Sequence, residues 1–187
     1  SALVVSTVRG QEPKKCCVPS QYTVSMTDLE SINSNQLSML FMELDFEKNL
    51  QAIVNYTYDP STHSYVDNYR MVTDMKQGIM YTITNNDTAC TKQANPVIPV
   101  RCIPDDAKYM GSSFLGPLGE PMKYDGWRFS IKPGALITIA VTDSCVPLVE
   151  GVAIPQFSAY NRLFMYSNFQ PSLQDPKFFV IPDICRQ

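Results

Sequence analysis

Tyr124-Asp125-Gly126-Trp127-Arg128-Phe129-Ser130-Ile131 leads into Lys132-Pro133-Gly134 and out again as Ala135-Leu136-Ile137-Thr138-Ile139-Ala140-Val141-Thr142. Trp127, Phe129 and Ile131 alternate with Arg128, Ser130 and Lys132. Successive side chains of a strand point to opposite faces, so this run reads as a strand with one buried and one wet face. Lys132-Pro133-Gly134 reads as a tight turn. The same pattern extends outward. Fourteen prolines and eight glycines punctuate short runs rich in Val, Ile, Thr, Tyr and Phe, which is the β pattern rather than the 3.6-residue helical one. Strands are predicted at Gln21–Thr27, Leu37–Phe46, Gln51–Tyr58, Tyr65–Thr73, Ile79–Thr84, Tyr124–Ile131, Ala135–Thr142 and Phe157–Tyr166. Leu40, Met42, Leu44 and Phe46 share one face of the second run while Leu37, Met39 and Phe41 occupy the other, so that strand is buried on both sides for much of its length. Asp59 to Ser64 reads as a hairpin loop, and Asp175-Pro176-Lys177-Phe178-Phe179 as one short helix with Asp175 as cap.

The chain has 187 residues, with 15 Lys+Arg against 18 Asp+Glu and a net charge of −3. That length suits a single domain with a packed core. The charge balance argues against a nucleic-acid partner, because neutralising phosphates takes clustered Lys and Arg. Hydrophobic residues make up 44% and charged residues 18%, which excludes disorder and coiled coil. His63 is the one histidine. A catalytic triad, a Cys-His dyad or a multi-His metal site therefore has at most one residue to use. Residues 1–15 read as a flexible N-terminal arm, with the apolar Ala2-Leu3-Val4-Val5 resembling the tail of a signal peptide. Residues 16–187 read as one domain with no membrane span.

Six cysteines stand at Cys16, Cys17, Cys90, Cys102, Cys145 and Cys185, and no CxxC pair occurs. An even count dispersed over the chain points to a disulfide framework in an oxidising compartment. Adjacent cysteines rarely bond each other, so Cys16 and Cys17 should leave in two directions. The sequons at Asn55 and Asn86 add N-glycosylation to this secreted reading.

From Gly78 onward the chain resembles the ependymin and ependymin-related family. The resemblance is carried by Gly78-Ile79-Met80-Tyr81-Thr82-Ile83, Cys90-Thr91-Lys92 and Cys102-Ile103-Pro104-Asp105-Asp106-Ala107. It continues through Phe114-Leu115-Gly116, Trp127, Asp143-Ser144-Cys145-Val146-Pro147-Leu148, Leu173-Gln174-Asp175-Pro176-Lys177-Phe178 and Pro182-Asp183-Ile184-Cys185, with Cys16-Cys17-Val18-Pro19 at the start. Residues 24–75 carry little of it, and Pro19 to Val24 stand where the family commonly has Trp-Glu-Gly. The resemblance implies a mainly β fold of two stacked antiparallel sheets, similar to bacterial lipoprotein carriers, enclosing a hydrophobic pocket. It also implies a secreted, glycosylated homodimer that binds lipids or fatty acids, with calcium-linked matrix contact and, in some animals, a lysosomal location. By position it pairs Cys90 with Cys185, one of Cys16 and Cys17 with Cys145, and the other with Cys102.

Nine Met, nine Phe and ten Tyr suit a surface that accepts irregular apolar ligands. Met39, Phe41, Met71, Met80, Trp127, Phe129, Phe164 and Met165 are the predicted pocket residues, with a hydroxyl from Tyr81, Tyr124 or Tyr160 at its mouth. The competing interpretation makes them ordinary core. Glu43 and Asp45 share a strand face at i, i+2, and Asp105-Asp106 follow Pro104. Both pairs are candidate calcium ligands, but neither shows an EF-hand spacing, and they read first as a polar strip and a turn cap. His63 reads as a solvated loop residue, and Lys14-Lys15 is too short for a phosphate patch. No GxSxG, P-loop, GxGxxG or HExxH occurs, and a non-enzymatic carrier needing no cofactor is expected. The rival expectation is an adhesion or signalling protein with no internal ligand.

Overall fold

The computed structural model describes residues 12–34, 38–84, 87–94, 99–117, 119–131, 134–155 and 161–186. Eleven strands form one antiparallel sheet: β1 (Gln21–Asp28), β2 (Ser38–Asp45), β3 (Leu50–Asp59), β4 (Ser64–Asp74), β5 (Ile79–Thr84), β6 (Ala89–Ala94), β7 (Lys108–Leu115), β8 (Met122–Ile131), β9 (Ala135–Val141), β10 (Pro147–Ala153) and β11 (Arg162–Gln170). The order across the sheet is β6-β5-β4-β3-β2-β1-β11-β10-β9-β8-β7. Two meanders, β1 to β6 and β7 to β11, are thus zipped together by β1 against β11, with Met26 opposite Tyr166 and Asp28 opposite Phe164.

The expected mainly β architecture is present, and its two layers are the halves of this one continuous sheet. β5 and β8 stand eight steps apart in the strand order, which in a flat sheet is about 38 Å at ~4.8 Å per step. Met80 of β5 and Phe129 of β8 nevertheless line the same cavity. The sheet therefore curls until its halves face each other, as right-handed twist accumulated over many strands allows.

Three strands, β6, β7 and β10, are additions to the predicted set. β11 begins at Arg162 and runs to Gln170, later than the predicted Phe157–Tyr166, whose residues 157–160 lie outside the described residues. The Asp59–Ser64 hairpin is present between β3 and β4, with exposed His63 at φ +52°. The Tyr58 hydroxyl and His63 Nδ1 lie 3.2 Å apart there. The predicted short helix is a 3-10 turn, Pro176–Phe179, whose Asp175 cap accepts from the Lys177 N–H. Of the predicted 132–134 turn only Gly134 is described, at φ +135°. No helix among the described residues is long and apolar enough to cross a membrane.

β2 is buried on both sides. Its even-numbered face, Leu40, Met42 and Leu44, points to the cavity. Its odd-numbered face lies under the C-terminal segment. Phe41 meets Phe178 at 5.5 Å between ring centroids. Glu43 is fully buried, and its Oε1 accepts from the backbone N–H groups of Gln174 and Asp175 at 2.8 Å each. Arg70 Nη1 on β4 donates to the carbonyls of Phe178 and Val180 at 2.8 and 2.6 Å. The segment ends in the Cys90–Cys185 disulfide, where Cys185 packs against Val72 and Ile83.

The other disulfides are Cys16–Cys145 and Cys17–Cys102. The adjacent cysteines diverge because neighbours on an extended chain point to opposite sides. Cys17 and Cys102 form an antiparallel bridge, flanked by Val18 N–H to Arg101 carbonyl and Ile103 N–H to Cys16 carbonyl, both at 2.9 Å. The N-terminal segment is thereby sewn to the β6–β7 connection, which passes from one edge of the sheet to the other.

Candidate functional site

A cavity of about 370 Å³ lies inside the curl, within the usual range for small-molecule sites. The first meander contributes Tyr22 and Met26 from β1, Leu40, Met42 and Leu44 from β2, Gln51 and Ile53 from β3, Met71 and Thr73 from β4, and Met80 from β5. The second contributes Phe129 and Ile131 from β8, Ile137, Ile139 and Val141 from β9, Glu150 and Val152 from β10, and Phe164 and Tyr166 from β11. Val18 and Pro99 to Ile103, the segments clamped by Cys17–Cys102, add to the lining together with Cys145 and Pro147. Along each strand the contributors alternate. The cavity is therefore the inner face of the pleat, and its apolar character follows from the period-two pattern.

Of the eight predicted pocket residues, Met71, Met80, Phe129 and Phe164 line the cavity. The other four do not, and the pleat explains three of them. Met39 and Phe41 occupy the odd face of β2, where Phe41 meets Phe178 of the C-terminal segment, and Met165 follows inward-facing Phe164 and is 44% exposed. Neighbours such as Phe164 and Met165 cannot both point inward. Trp127 has the correct parity but sits further along β8. It is buried beside Tyr109, with Lys15 Nζ 5.7 Å from its ring centroid. There it lines a smaller cavity with Pro13, Lys14, Asp125 and Asp143. Tyr81 stands off the cavity beneath Lys92, Tyr124 pairs with Ser113 on the β7–β8 hairpin, and Tyr160 lies outside the described residues. The hydroxyl-bearing side chains of the lining are Tyr22, Thr73 and Tyr166.

Glu150 and Arg101 are the charged side chains in the lining. Arg101 is exposed, and its Nε donates to the Val18 carbonyl at 3.0 Å. Glu150 is half-buried on the inner face of β10. The Tyr166 hydroxyl, its diagonal neighbour on β11, donates to Glu150 Oε2. Burial pushes the Glu150 carboxyl above its ordinary value, partly opposed by that hydrogen bond. Burial, followed by the nearby Glu150 charge, holds both Tyr166 and Tyr22 above the ordinary tyrosine value. Both hydroxyls thus keep their protons across the physiological range and serve as neutral hydrogen-bonding groups.

Glu43 and Asp45 face away from the cavity and are fully buried. Asp45 accepts from Gln21 Nε2 and the Lys48 N–H, at 3.0 Å each. Both carboxylates are committed to internal structure, not to a shared site. Asp105 and Asp106 lie in a turn closed by the Ala107 N–H to Pro104 carbonyl bond. Among the described residues no group of three or more His, Cys, Asp or Glu side chains is placed to hold a metal ion. Asn55 is 7% exposed; its Nδ2 donates to Ser38 Oγ at 2.9 Å and its Oδ1 accepts from Asn68 at 2.8 Å. The amide nitrogen a glycan would need is thus committed inside the sheet, and the fold disfavours this sequon. Asn86 lies outside the described residues.

The sequence pattern missed Glu150. A signal for it exists in Pro147-Leu148-Val149-Glu150-Gly151-Val152, where a lone carboxylate interrupts an apolar run. The leading proline and the glycine mask the strand that would have placed it.

Residues 63–185 match the family model described as Ependymin. Among solved structures, an uncharacterized conserved protein from Thermus thermophilus is similar at a TM-score of 0.52 and 8% identity, over 88% of this chain and 86% of that one. At that identity the likeness concerns the fold alone. Among curated proteins none matches this sequence.

Proposed function

The chain belongs to the ependymin family, and from that premise we propose that it is a secreted carrier that holds one hydrophobic small molecule, a lipid or fatty-acid-like chain, inside the curled sheet. Family membership and three disulfides fit an extracellular protein. The observation that carries the reading is the cavity of about 370 Å³, walled by aliphatic, Met and aromatic side chains from both meanders.

The mechanism is desolvation. Each methylene transferred from water to such a wall contributes about 0.8 kcal/mol. Ten give about 8 kcal/mol gross, before the several kcal/mol spent on ordering the ligand. About 4 kcal/mol net remains for ten methylenes, roughly millimolar affinity, and each further buried methylene tightens it about fourfold, without a strong polar contact. Methionines at positions 26, 42, 71 and 80 let the wall adapt to irregular chains. Release requires only that the segments under the Cys17–Cys102 clamp move.

The test is mass spectrometry of an organic-solvent extract from protein purified out of a secreting eukaryotic host. A stoichiometric lipid or fatty acid is expected. An extract free of any such molecule, from protein that also takes up no fluorescent acyl probe, returns the cavity lining to plain core and favours the adhesion reading.

A further inference from the structure

We propose that Glu150 and Tyr166 form a head-group subsite within this cavity, selecting apolar ligands that carry a hydrogen-bond donor, a hydroxyl or an amine, over those that carry a carboxylate. The proposal rests on the carrier reading above and deepens it. The cavity wall is apolar around this pair: Ile139 and Phe164 are the cross-strand partners of Glu150, and Val152 follows on the same face. A carboxyl placed there is costly unless something bonds to it.

Tyr166 satisfies one oxygen of Glu150, Oε2. The other oxygen, Oε1, has no hydrogen bond among the described residues, although Glu150 lines the cavity. That leaves one acceptor with no protein partner on a residue that lines the ligand space. A ligand hydroxyl or ammonium offers the missing donor. A ligand carboxylate placed there meets a second acceptor and, where Glu150 is ionised, a like charge. Burial of the pair amplifies both effects, since hydrogen bonds and charge repulsion strengthen in a low-dielectric site. The direction of the Glu150 titration agrees with a carboxyl short of stabilising partners. Tyr22 and Arg101 are the other titratable groups of the lining. Tyr22 is a neutral phenol, and exposed Arg101 is engaged through Nε with Val18.

The test is displacement of a bound fluorescent acyl probe by dodecanol, dodecylamine and lauric acid, matched in chain length, from wild type, Glu150→Gln, Glu150→Leu and Tyr166→Phe. Wild type should bind the alcohol and the amine at least tenfold more tightly than the acid. Glu150→Leu should bring the three within about threefold of one another. Glu150→Gln should keep the alcohol preference and lose that for the amine, separating hydrogen bonding from charge. Tyr166→Phe, which keeps the carboxyl but frees Oε2, should change the ranking severalfold while the melting temperature reports that the fold is intact. Equal binding of all three by wild type, or an unchanged ranking in Glu150→Leu, overturns the subsite while leaving the carrier reading in place. No binding of the probe or of any of the three overturns both.

Discussion

Replacing Cys17 and Cys102 together by serine removes the clamp between two segments of the cavity lining while leaving the other lining side chains unchanged. The bond spans 85 residues of sequence, and a closed loop of that size is worth about 4.6 kcal/mol through the unfolded chain. The remaining disulfides shorten that loop. Cys16, the neighbour of Cys17, is tied to Cys145, which is 43 residues from Cys102. With that path available the loop released is about 45 residues, and the loss is about 4 kcal/mol. For a domain of this size the melting temperature should fall by roughly 8–16 °C. The native hydrogen bonds beside the bridge, Val18 to Arg101 and Ile103 to Cys16, hold the segments only weakly once the covalent tie is gone. A bound acyl probe should therefore dissociate at least severalfold faster below the transition. Differential scanning calorimetry and stopped-flow displacement read the two effects separately. A melting shift under about 2 °C would refute the loop reasoning. A full shift with an unchanged dissociation rate would refute a role for these lining segments in release.

Glu150→Gln should flatten the dependence of stability on pH. The folded carboxyl titrates above the ordinary value of 4.5, so its contribution is present below that pH and is lost as pH rises through the folded value. The variant should match wild type near pH 4 and exceed it increasingly toward neutrality in denaturant melts; a constant difference would contradict the buried placement. Glu43→Ala should cost about 3 kcal/mol, because one buried carboxylate oxygen holds the backbone N–H groups of Gln174 and Asp175. It should also raise hydrogen exchange across residues 172–185, and protection there equal to wild type would contradict the anchoring of the C-terminal segment by Glu43. Peptide mapping of protein from a secreting eukaryotic host should find Asn55 unmodified. A glycan on Asn55 would show that β2 to β4 pack differently.

The reading of Trp127 to Ile131 as a half-wet strand, and of β2 as buried on both sides, follows from side-chain alternation, a local property that survives whatever the sheet does globally. β6, β7 and β10 escape that logic for particular reasons. β6 is short and largely exposed, β7 carries Gly111 at a register shift, and β10 opens on Pro147 and holds Glu150 and Gly151. The pocket was half legible. Alternation says that Phe164 and Met165 lie on opposite faces, but not which face is inside. That depends on the direction of curl and on the C-terminal segment, which buries Phe41 from outside. The family resemblance left Cys16 and Cys17 interchangeable. The structure assigns Cys17 to the β6–β7 connection because it forms a bridge with Cys102 there.

The most direct test of the account is titration of wild type and Met71→Trp with a fluorescent acyl probe. Met71 lies on the inner face of β4, and an indole there fills space the ligand needs without touching the C-terminal segment on the outer face or the disulfides. The account predicts saturable uptake near one probe per chain by wild type, and at least tenfold weaker uptake by the variant at a comparable melting temperature. Equal uptake by the two proteins would place the ligand elsewhere and contradict the central claim.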